Sequence, residues 1–80
     1  MKILCYFGEH LPPHVHVVYS EYEVLIEIES LRVYIGYMPV KKLNKAKALI
    51  KTHQEDLLFL FHALNPHLSK RSLGELITEY

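Results

Sequence analysis

Along the first half of the chain, Val15, Val17 and Tyr19 alternate with His14, His16 and Val18. After Ser20-Glu21 the alternation resumes, with Tyr22, Val24, Ile26 and Ile28 set against Glu23, Leu25 and Glu27. Period-two alternation marks strands with one buried face, so these runs predict a hairpin, His14 to Tyr19 and Tyr22 to Ile28, closed by a two-residue turn. The turn lacks the Asn-Gly chemistry that most favours such a loop. A second turn at Glu29-Ser30 leads into a third alternating run, Leu31 to Tyr37, which extends the hairpin into an antiparallel meander. Lys2 to Phe7 supplies an N-terminal strand. Pro12 and Pro13 lack amide donors and make residues 8–13 a loop. Val15, Val17, Tyr19, Tyr22, Val24, Ile26, Ile28, Leu31, Val33 and Ile35 then share the core face.

From Pro39 the period changes. Leu43, Ala46, Ile50, His53, Leu57, Leu60 and Leu64 recur at three and four residues, the stripe of an amphipathic helix that covers the sheet. Pro39 suits its first turn. Thr52 followed by Glu55 has capping-box spacing, but the continuous stripe favours one helix over 39–64, with His53 a core or boundary residue. Leu58, Phe59 and Phe61 widen the stripe beyond what one sheet needs, and Ser69 is placed to cap a short last helix in 66–80. The expected fold is α+β: an antiparallel three- to four-stranded β-meander, one face packed by a long helix from the C-terminal half, plus a short terminal helix. All of 1–80 forms one domain.

Composition sharpens this picture. A chain of 80 residues supports one core and no more, and its small size makes a partner protein or a second copy of the chain an expected source of stability. Half of the residues are apolar and 22% charged, which excludes a disordered tail. No apolar run reaches the roughly 18 residues of a membrane span, and the apolar N-terminal run stops at Gly8, too short for a signal peptide. The expectation is a soluble, cytoplasmic protein. A lone Cys5 in an apolar segment reads as a small buried hydrophobe. The net charge of zero conceals a dipole. Residues 1–37 carry two basic and five acidic side chains, and residues 38–80 seven basic and four acidic.

The chemistry falls on the polar face of the meander. If both turns hold two residues, His14, Glu27 and Arg32 stand side by side across three strands, next to a row of His16, Leu25 and Tyr34. A one-residue slip in either turn would destroy that alignment. Cleavage of RNA by its own 2′-hydroxyl needs a base, an acid and a cation near the phosphorane. His14 and His16 are the acid and base, Glu27 the proton partner, Arg32 the phosphate clamp and Tyr34 a secondary donor or stacking ring. The competing structural role is cross-strand pairing of Glu27 with Arg32. Two histidines and Glu27 are also adequate zinc ligands, but histidine-x-histidine alone is a weak signal, so the site is expected to be metal-free and without cofactor. Lys41, Lys42 and Lys45 crowd a helix start, where the macrodipole disfavours positive charge. Binding of an RNA backbone or an acidic partner accounts for them, as does a solvated face.

The residues Pro12-Pro13-His14-Val15-His16, followed by Tyr19, Glu21-Tyr22-Glu23, Ile26 and Ile28-Glu29, resemble those of a bacterial family of small proteins known as domain of unknown function 4160. The resemblance continues through Gly36, Pro39, Leu43 and the His53, Glu55 and Leu57 region, covering roughly residues 3 to 64. One departure is the lack of a tryptophan in the helix, where Phe61 or His62 stands. The resemblance implies one half of a two-gene operon of toxin-antitoxin type, and hence a small antitoxin-like partner from the neighbouring gene. It assigns no catalytic residue. The resulting expectation is a toxin component, a metal-independent ribonuclease; the alternative is a non-catalytic protein that binds a partner or nucleic acid, including the antitoxin half.

Overall fold

The computed structural model describes residues 1–6 and 9–66. Four strands, β1 (Lys2–Leu4), β2 (His14–Tyr19), β3 (Tyr22–Glu27) and β4 (Val33–Gly36), form one sheet in the order β1-β2-β3-β4. Every neighbouring pair is antiparallel. The hairpin has the expected register, with Tyr19 opposite Tyr22, His16 opposite Leu25 and His14 opposite Glu27. Ser20 at φ +55° supplies the positive dihedral that a tight hairpin turn needs.

The second turn differs from expectation. It is a four-residue loop, 28–31, rather than two residues, with the Glu27 amide donating to the Arg32 carbonyl at 2.9 Å and the Leu31 amide to the Glu27 carbonyl at 2.9 Å. Leu31 takes φ +63° to close it. Because the loop lengthens symmetrically, Ile26 still faces Val33, but the register then shifts and Leu25 faces Ile35. Tyr34 is thus the extra residue of a β-bulge. The bulge overturns the expected placing of Ile35 in the core, which is 58% exposed. Gly36, at φ +98°, follows it, and a Cβ there would collide with the Glu23 carbonyl oxygen.

The core consists of Val15, Val17, Val24, Ile26 and Ile28 from the sheet side, with Met38, Ala46, Ile50 and Phe61 closing over them, none more than 2% exposed. Two helices do this work in place of the expected single one: α1 (Val40–Thr52) and α2 (Gln54–Leu64). The break is at His53, φ −114° and ψ 24°. Thr52 does not cap α2; its hydroxyl donates back to the Ala48 carbonyl at 3.0 Å. The break re-phases the apolar stripe. Ala46 and Ile50 point inward from α1, and Phe61 replaces Leu60 as the buried residue of α2, leaving His53 and Leu60 exposed. Gln54 Nε2 donates to the Ile28 carbonyl at 2.9 Å and ties the start of α2 to the 28–31 loop. Among the described residues no helix is long and apolar enough to cross a membrane. The short last helix expected after Ser69 lies outside the described residues.

Candidate functional site

Alternation along β2 sends His14 and His16 away from the Val15 and Val17 side, as expected. The row His14, Glu27, Arg32 forms: His14 pairs with Glu27 in register, and Arg32 Nη2 donates to Glu27 Oε2 at 3.1 Å. Yet this carboxylate is engaged in holding its own turn. Ser30 Oγ donates to Glu27 Oε1 at 2.6 Å and accepts from the Arg32 amide at 3.2 Å. The Ser30 hydroxyl first, and the Arg32 guanidinium next, hold the Glu27 carboxyl below its ordinary value. Tyr34, re-aimed by the bulge, sets its ring 5.8 Å from that of His14 and 5.7 Å from that of His10.

The carboxylate that meets both histidines is Glu9. His16 Nε2 lies 2.6 Å from Glu9 Oε1, and His14 Nε2 lies 3.2 Å from Glu9 Oε2. The second nitrogen of each ring is held from behind. His14 Nδ1 sits 2.9 Å from the Pro12 carbonyl, and His16 Nδ1 sits 3.2 Å from Glu23 Oε2. A carbonyl only accepts, so His14 Nδ1 carries the proton and Nε2 is the nitrogen presented to Glu9. The His14 side chain is fully buried, whereas those of His16 and Glu9 are 14% and 17% exposed. Phe61 packs against the His14 ring at 5.6 Å, and Tyr6 meets His16 edge-on at 4.4 Å. Burial pushes the Glu9 carboxyl up, but the His16 hydrogen bond and the two imidazoles outweigh it and leave the group below its ordinary value.

Glu9 reaches this position because Asn65, at the C-terminal end of α2, holds its loop. Asn65 is fully buried. Its Oδ1 accepts from the Glu9 amide at 2.5 Å, while Nδ2 donates to the Tyr6 carbonyl at 3.0 Å and the Phe61 carbonyl at 2.9 Å. Neither Glu9 nor Asn65 stands out in the sequence, since Glu9 lies within the 8–13 loop and Asn65 just past the helical stripe. The one available signal is composition: a glutamate five residues before a histidine-x-histidine pair, across a proline-made turn.

The lysines stand elsewhere. Lys42 places Nζ 4.8 Å above the Tyr19 ring, and Lys41 and Lys45 are exposed on the same first turns of α1. Tyr19 and His14 are opposite ends of β2, five residues or about 16 Å apart, so these cations do not join the histidine cluster. α1 has no acidic residue in its first turn and no side-chain cap. Burial raises the pKa of the half-buried Cys5 thiol. A hollow at the α1–α2 break, lined by Lys51, His53 and Glu55 among others, contains none of the histidine cluster.

No curated protein and no solved structure matches the chain. The sequence model of one family does, over residues 1–62, a span that includes Glu9, both histidines, the whole sheet, α1 and most of α2. The chain therefore belongs to the family described as domain of unknown function DUF4160.

Proposed function

We propose that this chain is a small hydrolytic effector that cleaves phosphodiester bonds of RNA, the toxin half of a two-gene module whose partner protein restrains it. The observation that supports the reading best is the convergence of two imidazole Nε2 atoms on one carboxylate, with each ring held from behind. In phosphodiester cleavage a proton leaves the attacking oxygen, a P–O bond forms, the opposite P–O bond breaks and its oxygen takes up a proton. Imidazoles beside a carboxylate lower the cost of moving such protons at neutral pH. His16 and Glu9 form the accessible mouth, and the rings of His10 and Tyr34 beside it suit stacking on a base. Glu9 replaces Glu27 in this reading, and Arg32 is left to the turn. Lys41, Lys42 and Lys45 serve as a separate backbone contact, so charge reversal there weakens RNA binding and flattens its salt dependence.

The test is expression of the wild-type chain and of the Glu9→Gln, His16→Ala double variant, reading growth and RNA integrity. The wild type is expected to arrest growth and cleave RNA; the folded variant does neither. Equal arrest and cleavage by both would end the reading. A second reading, a non-catalytic partner-binding protein, draws on one observation. Beside the edge of β4 that no other described strand pairs, Ile35, Tyr37 and Val40 are 58%, 70% and 68% exposed, an apolar border on an edge strand of the kind a partner covers.

A further inference from the structure

We propose that Glu9, His14 and His16 are the protein ligands of a divalent first-row transition ion, zinc being the best match, with the remaining coordination left to water. The three residues present one donor atom each within 4.8 Å of one another. Donors bonded to one ion at about 2.0–2.2 Å lie roughly 2.9–3.5 Å apart. The 3.2 Å between His14 Nε2 and Glu9 Oε2 falls in that range, and the 2.6 Å between His16 Nε2 and Glu9 Oε1 needs only a small carboxylate rotation. Two neutral imidazoles with one carboxylate favour zinc and its neighbours over magnesium or calcium, which take oxygen donors.

His14 carries the argument. A proton alone accounts for His16, whose two nitrogens each face a carboxylate at hydrogen-bonding distance. At His14 a proton on Nε2 would meet Glu9 Oε2 at 3.2 Å as an ion pair, but off the line of a good hydrogen bond. The His14 side chain is fully buried, and its Nδ1 proton is committed to the Pro12 carbonyl. A buried nitrogen beside a carboxylate is favourable only with a proton or a metal ion between them. An ion in the space bounded by Glu9 and both Nε2 atoms supplies that charge to all three groups at once.

The surroundings match those of metal-binding histidines. Such rings commonly donate their other N–H to a backbone carbonyl or a carboxylate, which fixes the tautomer and raises ligand basicity. His14 has the first arrangement through Pro12 and His16 the second through Glu23. Asn65 fixes the backbone of the third ligand. The expectation of a metal-free site rested on histidine-x-histidine being a weak signal, with Glu27 as the candidate third ligand; Glu27 is held by Ser30 and Arg32, and Glu9 meets both histidines in its place. Three protein ligands leave room for a bound water of lowered pKa, which would take over the proton transfer assigned above to the unligated imidazoles and Glu9; that last role alone rests on the hydrolytic reading.

The experiment is calorimetric titration of zinc and of magnesium into the full chain, expressed without a histidine tag and stripped with chelator. Circular dichroism confirms folding of every sample. One zinc per chain with no magnesium uptake is expected. Glu9→Gln and His16→Ala should abolish uptake, Glu23→Gln should weaken it about 10- to 100-fold through the Nδ1 contact, and His53→Ala, at the distant helix break, should leave it unchanged. Substituted cobalt should show the visible bands of a nitrogen- and oxygen-ligated ion. Absence of stoichiometric zinc in the folded wild type, or undiminished uptake in folded Glu9→Gln and His16→Ala, would overturn the proposal. Zinc uptake without RNA cleavage would uphold the site and end the hydrolytic reading. Cleavage by chain that takes up no zinc would do the reverse.

Discussion

Two carboxylates flank the histidine pair, and they arrive there by opposite routes. Glu27 stands beside His14 through strand register and is held by residues three and five positions away, Ser30 and Arg32. Glu9 comes from a loop outside the sheet and is positioned by Asn65, 56 residues along the chain. The nearer carboxylate is satisfied by its own turn, so little of its charge is left for chemistry. The remote one faces two imidazoles. Proximity in a sheet therefore identifies neighbours, while the hydrogen bonds already made by each neighbour decide which is available to a ligand.

The strongest way to break this comparison is to release the remote carboxylate. Asn65→Ala leaves the Glu9 amide and the Tyr6 and Phe61 carbonyls without their side-chain partner, and an expected loss of about 2–4 kcal/mol in urea unfolding should be accompanied by impaired zinc uptake. Normal uptake with normal stability would show that the loop holds Glu9 unaided. Gly36→Ala pushes β4 against the Glu23 carbonyl and is expected to cost about 1–3 kcal/mol; unchanged unfolding would mean the bulge yields freely.

On the Glu27 side, Ser30→Ala should cost about 1 kcal/mol and leave zinc uptake intact. Loss of uptake there would return Glu27 to the site. Glu27 has a depressed pKa in the fold, so its contribution is present above the ordinary value of 4.5 and fades as pH falls through the lower folded value. The melting temperatures of wild type and Glu27→Gln should accordingly differ at neutral pH and converge in acid. A constant difference would show that the carboxyl is not held by Ser30 and Arg32. The smallest effect is expected for Arg32→Ala, whose side chain is 75% exposed: roughly 0.5 kcal/mol or less, with RNA cleavage retained. Loss of cleavage in a stable Arg32→Ala would restore the guanidinium as a phosphate clamp.

Much of the fold was legible because alternation is a local signal. The β2–β3 pairing, the opposite faces of Val15 and His14, and the helical nature of 40–64 all follow from periodicity within a few residues. The errors lie where periodicity is interrupted. Ile35 was assigned to the core because nothing in Leu31 to Tyr37 reveals that Tyr34 is an extra residue in the ladder. The helix break was not assigned to His53 because the three-and-four spacing continues through it. The polar-face placing of His14 and His16 follows from strand alternation, and the bulge carries the Tyr34 ring to that of His14.

By itself, then, the sequence determined the α+β class, the faces of β2 and β3 and the placing of His14 and His16 on one of them, since these depend on side-chain period and short turns. The tertiary structure alone decided that Glu9 completes the cluster, that Asn65 holds it there, and that Glu27 is committed elsewhere. The physical reason is that a buried polar group is defined by the partners that satisfy it. The partner that fixes the Glu9 backbone is Asn65, 56 residues along the chain, and it meets Glu9 only when the end of α2 closes against the loop before β2.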